Sequence, residues 1–78
     1  LMRVVVNDQG EVIGRLDGNV IRNENEEIIY WISGEDVFSP STYIGKDAQC
    51  LSKMLSLAIG EFDGKYCTLH GALIFEVK

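Results

Sequence analysis

The sequence predicts an α+β fold: an antiparallel β-meander of about five short strands, one α-helix at about 47–59, and then a C-terminal β-hairpin. Three observations carry this expectation. Asn7 to Gly18 (NDQGEVIGRLDG) reappears sixteen residues on as Asn23 to Gly34 (NENEEIIYWISG). Each copy is a polar turn, a run of β-formers and a glycine turn, the pattern of short hairpins. Between Asp47 and Gly60 the apolar residues recur at helical spacing. Beyond that segment, two runs of β-formers flank His70-Gly71.

The elements follow in order. Strand one is Arg3 to Val6, closed by Asn7-Asp8-Gln9-Gly10. Strand two is Glu11 to Leu16, and Asp17-Gly18 offers the left-handed conformations that a tight hairpin turn requires. Gly14, inside that strand, marks a bulge or a close approach by a neighbour. Strand three is Asn19 to Arg22, and strand four, Glu26 to Ser33, is the longest. A fifth segment, Asp36 to Ser39, ends at Pro40, which cannot donate to a ladder. A linker through Ser41 and Gly45 leads to the helix, with Asp47 as N-cap or first-turn acid and Gly60 as left-handed stop. Asp63-Gly64 precedes the last two strands, about Lys65 to Leu69 and Ala72 to Val77.

At about 100° per residue the helix gathers Leu51, Met54, Leu55 and Ala58 on one stripe, widened by Cys50, Leu57, Ala48 and Ile59. Strand four is also two-sided: Ile28, Tyr30 and Ile32 point one way, Ile29 and Trp31 the other. One short helix cannot cover both faces of a sheet. Either the sheet curls on itself or a second copy of the chain covers the remainder, and the small size of the core favours a homodimer.

Seventy-eight residues, 46% hydrophobic and 24% charged, make one globular domain spanning 1–78. No apolar run has the length of a membrane span, and no basic-then-apolar leader is visible. Leu1 ahead of Met2 reads as an artificial addition. Two cysteines without a leader read as reduced thiols, so the expected location is the cytoplasm. Residues 1–38 hold eight acids against three arginines, which accounts for the whole net charge of −5. Such a half repels a phosphate backbone, so nucleic acid is not an expected partner. The plainer reading of these acids is a solvated surface that keeps short strands soluble.

Chemistry is sparse. Cys67-Thr68-Leu69-His70 has the C-x-x-H spacing of half a zinc site, but strand residues three apart diverge and no second half exists. Cys50, Cys67 and His70 are the one group that a thiol- or metal-dependent enzyme could use, and the same divergence weighs against it. No serine lies in a nucleophile motif, the turn acids lack an enclosed cleft, and the glycines precede no helix that could cradle phosphate. The expectation is no catalytic residue, no metal and no cofactor. The aromatics Tyr30, Trp31, Phe38 and Tyr43 cluster within fourteen residues and are the candidate binding residues, since Trp and Tyr anchor interfaces.

The segment Asp8-Gln9-Gly10-Glu11-Val12-Ile13-Gly14-Arg15-Leu16 resembles the opening hairpin of PRC-barrel domains, which often carry a d-G-e-x-I-G-x-[VIL] pattern. The resemblance covers nine residues and implies a small adaptor docked on a larger partner. The chain departs from that family where the helix at 47–59 replaces further barrel strands, and no functional residue is carried over. The chain is also similar to small bacterial proteins with repeated hairpins. The expected function is a non-enzymatic protein-interaction or regulatory module acting as a homodimer. The alternative is a small-molecule binder with an apolar pocket between helix and sheet, lined by Trp31, Tyr30, Met54 and Phe75.

Overall fold

The computed structural model describes residues 2–40 and 58–78, which form an all-β closed barrel of eight antiparallel strands. The strands are β1 (Arg3–Val6), β2 (Val12–Asp17), β3 (Val20–Arg22), β4 (Ile28–Ser33), β5 (Asp36–Phe38), β6 (Gly60–Phe62), β7 (Tyr66–Leu69) and β8 (Ala72–Val77). Each pairs with the next, and β1 pairs with β8 through Val5↔Val77 and Val6↔Glu76, so no strand edge is left open. Backbone bonds from Lys78 N–H to the Val4 carbonyl (2.8 Å) and from Val77 N–H to the Lys65 carbonyl (2.7 Å) tighten that seam.

The sixteen-residue repeat is a structural repeat. In the first copy the Asn7 side-chain oxygen accepts from the N–H groups of Gln9 and Glu11, both at 2.9 Å, while its amide donates to the Glu11 carboxylate. Asn23 does the same with Asn25 (2.9 Å), Glu27 (3.0 Å) and the Glu27 carboxylate. Both asparagines also donate their backbone N–H to the carbonyl four residues ahead and accept, at their own carbonyl, from the N–H three residues ahead. Local asparagine bonds of this kind replace strand pairing and turn the chain. The period extends to β1: Val5, Ile21 and Val37 stand sixteen residues apart and all three are fully buried.

The copies place different residues at one left-handed turn position. Gly10 has φ +80°, and its counterpart Glu26 has φ +65°. A left-handed backbone costs an L-residue roughly 1–2 kcal/mol. The Glu26 carboxylate meets the Arg15 guanidinium at 3.3 Å, but both side chains are largely exposed, and such a pair returns only about 0–1 kcal/mol. Glu26→Gly is therefore expected to raise stability by about 0.5–1 kcal/mol, read as an upward shift of the urea midpoint at unchanged slope.

The α+β expectation is corrected to all-β. The expected helix lies mostly at residues outside those described, but its last two residues, Ala58 and Ile59, are not helical, and Ile59 N–H donates to the Val37 carbonyl at 2.7 Å. Gly60 is not a helix stop. It is a buried strand residue paired with Val37, and a Cβ there would come within 2.8 Å of the Cys67 sulfur. A three-residue strand that begins with glycine carries no alternation to read. Because β5 and β6 pair, the meander continues into the C-terminal hairpin and the sheet curls on itself. Seven expected strands stand where the sequence placed them, within one or two residues at their ends. The tight turn after β2 is made by Gly18 and Asn19, one residue later than expected.

The core fills the barrel. Phe75, Ile21, Val5, Val37, Val77 and Cys67 are its fully buried side chains, and Tyr30 and Phe62 close on the Phe75 ring at 5.0 and 5.9 Å. Eight short strands enclose just enough space for side chains to fill. Among the described residues no helix is long and apolar enough to cross a membrane.

Candidate functional site: the apolar mouth of the barrel

Strand alternation sends the turns to two ends. The asparagine turns at 7–11 and 23–27, the end of β5, the start of β6 and the His70-Gly71 turn share one end. The turns at 18–19, 34–35 and 63–65 share the other end with both chain termini.

The first end is built by three β-bulges. Val5 and Val6 face Gly14 and Val12, leaving Ile13 extra; Ile21 and Arg22 face Tyr30 and Ile28, leaving Ile29 extra. Cys67 and Thr68 face Phe75 and Leu73, leaving Ile74 extra. A bulge bends its strand and re-aims the extra side chain. All three isoleucines line one open cleft of about 610 Å³, together with Tyr30, Ser39, Ile59 and Leu69. The first two bulges occupy equivalent positions of the repeat, so one local sequence device is used twice. The cleft floor is the filled core, and Leu69 on its rim is 40% exposed.

The expected binding residues are split. Tyr30 lines this mouth and stacks on Phe75. Trp31, its neighbour on β4, points to the other face, where it pairs across the ladder with Val20 and with the buried Phe38. Tyr43 lies outside the described residues. Of the expected pocket lining, Phe75 is buried beneath the mouth, Trp31 faces away from it, and Met54 is outside the described residues. Sequence reasoning missed Ile13, Ile29, Ile59, Leu69 and Ile74. The signal that could have found two of them is the adjacent apolar pairs Val12-Ile13 and Ile28-Ile29, which break strict alternation at the same place in each repeat.

Cys67 faces the core, whereas His70 is exposed in its turn at φ +52°. Among the described residues no group of three or more His, Cys, Asp or Glu side chains could hold a metal ion. Cys50 is outside the described residues. Burial pushes the Cys67 thiol up from its ordinary 9.0 to about 11. Burial, and secondarily the charge of the Cys67 thiolate, also raises the Tyr30 phenol. The folded chain thus holds the Cys67 proton more tightly than the unfolded chain does. The stability from burying a neutral thiol is complete below pH 9.0 and lost as pH rises through about 11. The urea midpoint is expected to fall across that window, and Cys67→Ala to lessen the fall without abolishing it, because Tyr30 moves in the same direction.

On the outer wall, Glu76 sits between Lys65 (3.7 Å) and Lys78 (3.8 Å), and the Lys65 ammonium lies 5.3 Å from the Tyr66 ring centre. This basic corner is at the end opposite the mouth. In comparisons with known proteins, the chain matches no family model, no curated protein and no solved structure.

Proposed function

We propose that this chain is a non-enzymatic interaction module of the cytoplasm, which presents the apolar mouth of its barrel to another polypeptide. The polypeptide is a second copy of the chain, giving a homodimer, or a larger protein. The observation that carries this reading is the convergence of three bulged isoleucines, Tyr30, Ile59 and Leu69 on one open cleft. Bulges are costly irregularities in a ladder, and three of them serving one rim point to a shaped surface rather than a packing accident. An apolar pocket ringed by polar turns is the anchor-and-rim arrangement of binding surfaces.

The test is sedimentation velocity over a wide concentration range for the wild type and for Leu69→Asp, a change at a half-exposed rim position. The expected result is a reversible dimer that Leu69→Asp weakens where the polypeptide is a second copy, and a monomer whose apolar-dye binding Leu69→Asp weakens where it is a larger protein. A monomer throughout, with an apolar dye binding wild type and Leu69→Asp alike, contradicts the mouth as the contact.

The volume of the cleft favours a second reading, a small apolar ligand, because 610 Å³ lies within the usual range of ligand sites, roughly 300–1,000 Å³. The filled core below leaves such a ligand half exposed, which favours the polypeptide. Medium-chain alcohols raising the melting temperature of the wild type but not of Leu69→Asp would reverse that preference.

A further inference from the structure

The rim of the mouth is charged. Five exposed acids stand in the two asparagine turns at this end: Asp8, Glu11, Glu24, Glu26 and Glu27. Two arginines answer them, and both converge on one residue. Arg15 pairs with the Glu26 carboxylate and Arg22 donates to the Glu26 carbonyl oxygen at 3.2 Å. The Asn7 and Asn23 amides hold the Glu11 and Glu27 carboxylates in place, at 2.9 and 3.1 Å, without neutralising them. Among the described residues the rim therefore carries a surplus of negative charge. The apolar surface also extends beyond the mouth. Ile13 lines both the cleft and a neighbouring outer groove, which contains Val4, Val12, Arg15 and Glu24. Val12 is 68% exposed. An apolar track thus runs from Leu69 across the mouth and over Ile13 to Val12 and Val4, with Glu24 and the Glu26-paired Arg15 beside it.

Building on the docking role given to the mouth above, we propose that its occupant is a cationic, amphipathic segment of another protein, its apolar side chains on this track and its Lys or Arg side chains against the asparagine-turn acids. A second copy docking by the same face would set two acidic rims against each other, and like charges across an interface are penalised. A cationic partner gains both steering and register from the same groups.

The probe is a fluorescein-labelled peptide of about twelve residues alternating leucine and lysine, with its leucine–glutamate counterpart as control, titrated with the full chain and read by anisotropy. The lysine peptide is expected to bind at least about tenfold more tightly than the glutamate peptide. Its affinity is expected to fall several-fold as salt rises from about 10 mM to about 150 mM, which shortens the screening length from about 30 Å to about 8 Å. The pair Asp8→Asn with Glu24→Gln is expected to weaken binding about threefold or more. The pair Asp17→Asn with Glu35→Gln, the same charge change at the opposite end, is expected to leave it within about twofold. Circular dichroism establishes that each variant is folded.

Equal affinity for the two peptides, or equal effects of the two variant pairs, overturns the cationic partner. So does a dimer that Leu69→Asp abolishes and the lysine peptide does not displace, although that result upholds the mouth as a docking surface. Binding of neither peptide, together with a monomer indifferent to Leu69→Asp, overturns both.

Discussion

Gly14→Ala is expected to cost about 3 kcal/mol or more, the upper end of what forced overpacking does. Gly14 is buried on β2 opposite Val5. A Cβ built on it would overlap the carbonyl oxygen of Arg22 and lie 3.0 Å from the carbonyl carbon and 3.3 Å from an Ile21 methyl. The obstacle is backbone, so no rotamer change relieves it. Moving β3 away would break its pairing with β2 at Arg15↔Arg22 and Leu16↔Ile21, next to the fully buried Ile21. A chain of this length has a total stability of only about 4–12 kcal/mol. Urea denaturation of Gly14→Ala should therefore show a midpoint lowered by roughly a quarter to three quarters, or no folded baseline. A shift of less than about 1 kcal/mol would mean that β2 and β3 do not approach as described.

Phe75→Ala is expected to cost about 3–5 kcal/mol. Its ring is fully buried at the centre of the barrel, against Tyr30 and Phe62 from two other strands, and it pairs with the buried Cys67. Truncation removes apolar area and leaves a cavity that a closed barrel cannot collapse around, because every strand is hydrogen-bonded on both sides. Val12→Ala, an apolar truncation at an exposed outer position, should move the urea midpoint by less than about 0.5 kcal/mol. Equal effects at the two positions would contradict the division into inside and outside.

Much of the wall of this barrel is legible in the sequence. The Asn7/Asn23 and Gly18/Gly34 correspondences name the turns, and turn chemistry is local: an asparagine oxygen two residues from an N–H bonds it wherever the strands go. Gly14 is legible as a bulge or a close approach; it is a close approach, and the bulge falls beside it at Ile13. Closure is legible only as one of two alternatives, the sheet curling on itself or a second copy covering it, because the pairing of β1 with β8 joins residues seventy or more positions apart and no local pattern encodes it. The apolar residues before Gly60 read as a helix from their spacing, and since one helix cannot cover both faces, the surplus falls to a second copy. Gly60 itself misled, since a glycine after an apolar run reads as a helix stop. Here it is small because the Cys67 sulfur and the Thr68 carbonyl crowd it. The site was legible only at Tyr30. The aromatic cluster is contiguous in sequence, but adjacent strand residues face opposite ways, so Tyr30 and Trp31 cannot serve one surface. The residues that do converge, Ile13, Ile29 and Ile74, come from three strands and are brought together by bulges, which in sequence look like ordinary strand interiors.

Closure of the barrel is the foundation of the mouth, its rim and the filled core, and nuclear Overhauser contacts across the β1–β8 seam test it most directly. Backbone contacts between Val5 and Val77 and between Val6 and Glu76 are expected, because antiparallel partners lie roughly 4.5–5.5 Å apart. In an open eight-stranded meander the same strands would be seven spacings apart, about 33 Å. Absence of both contacts, with those between β1 and β2 present, would contradict the closed barrel and the site built on it.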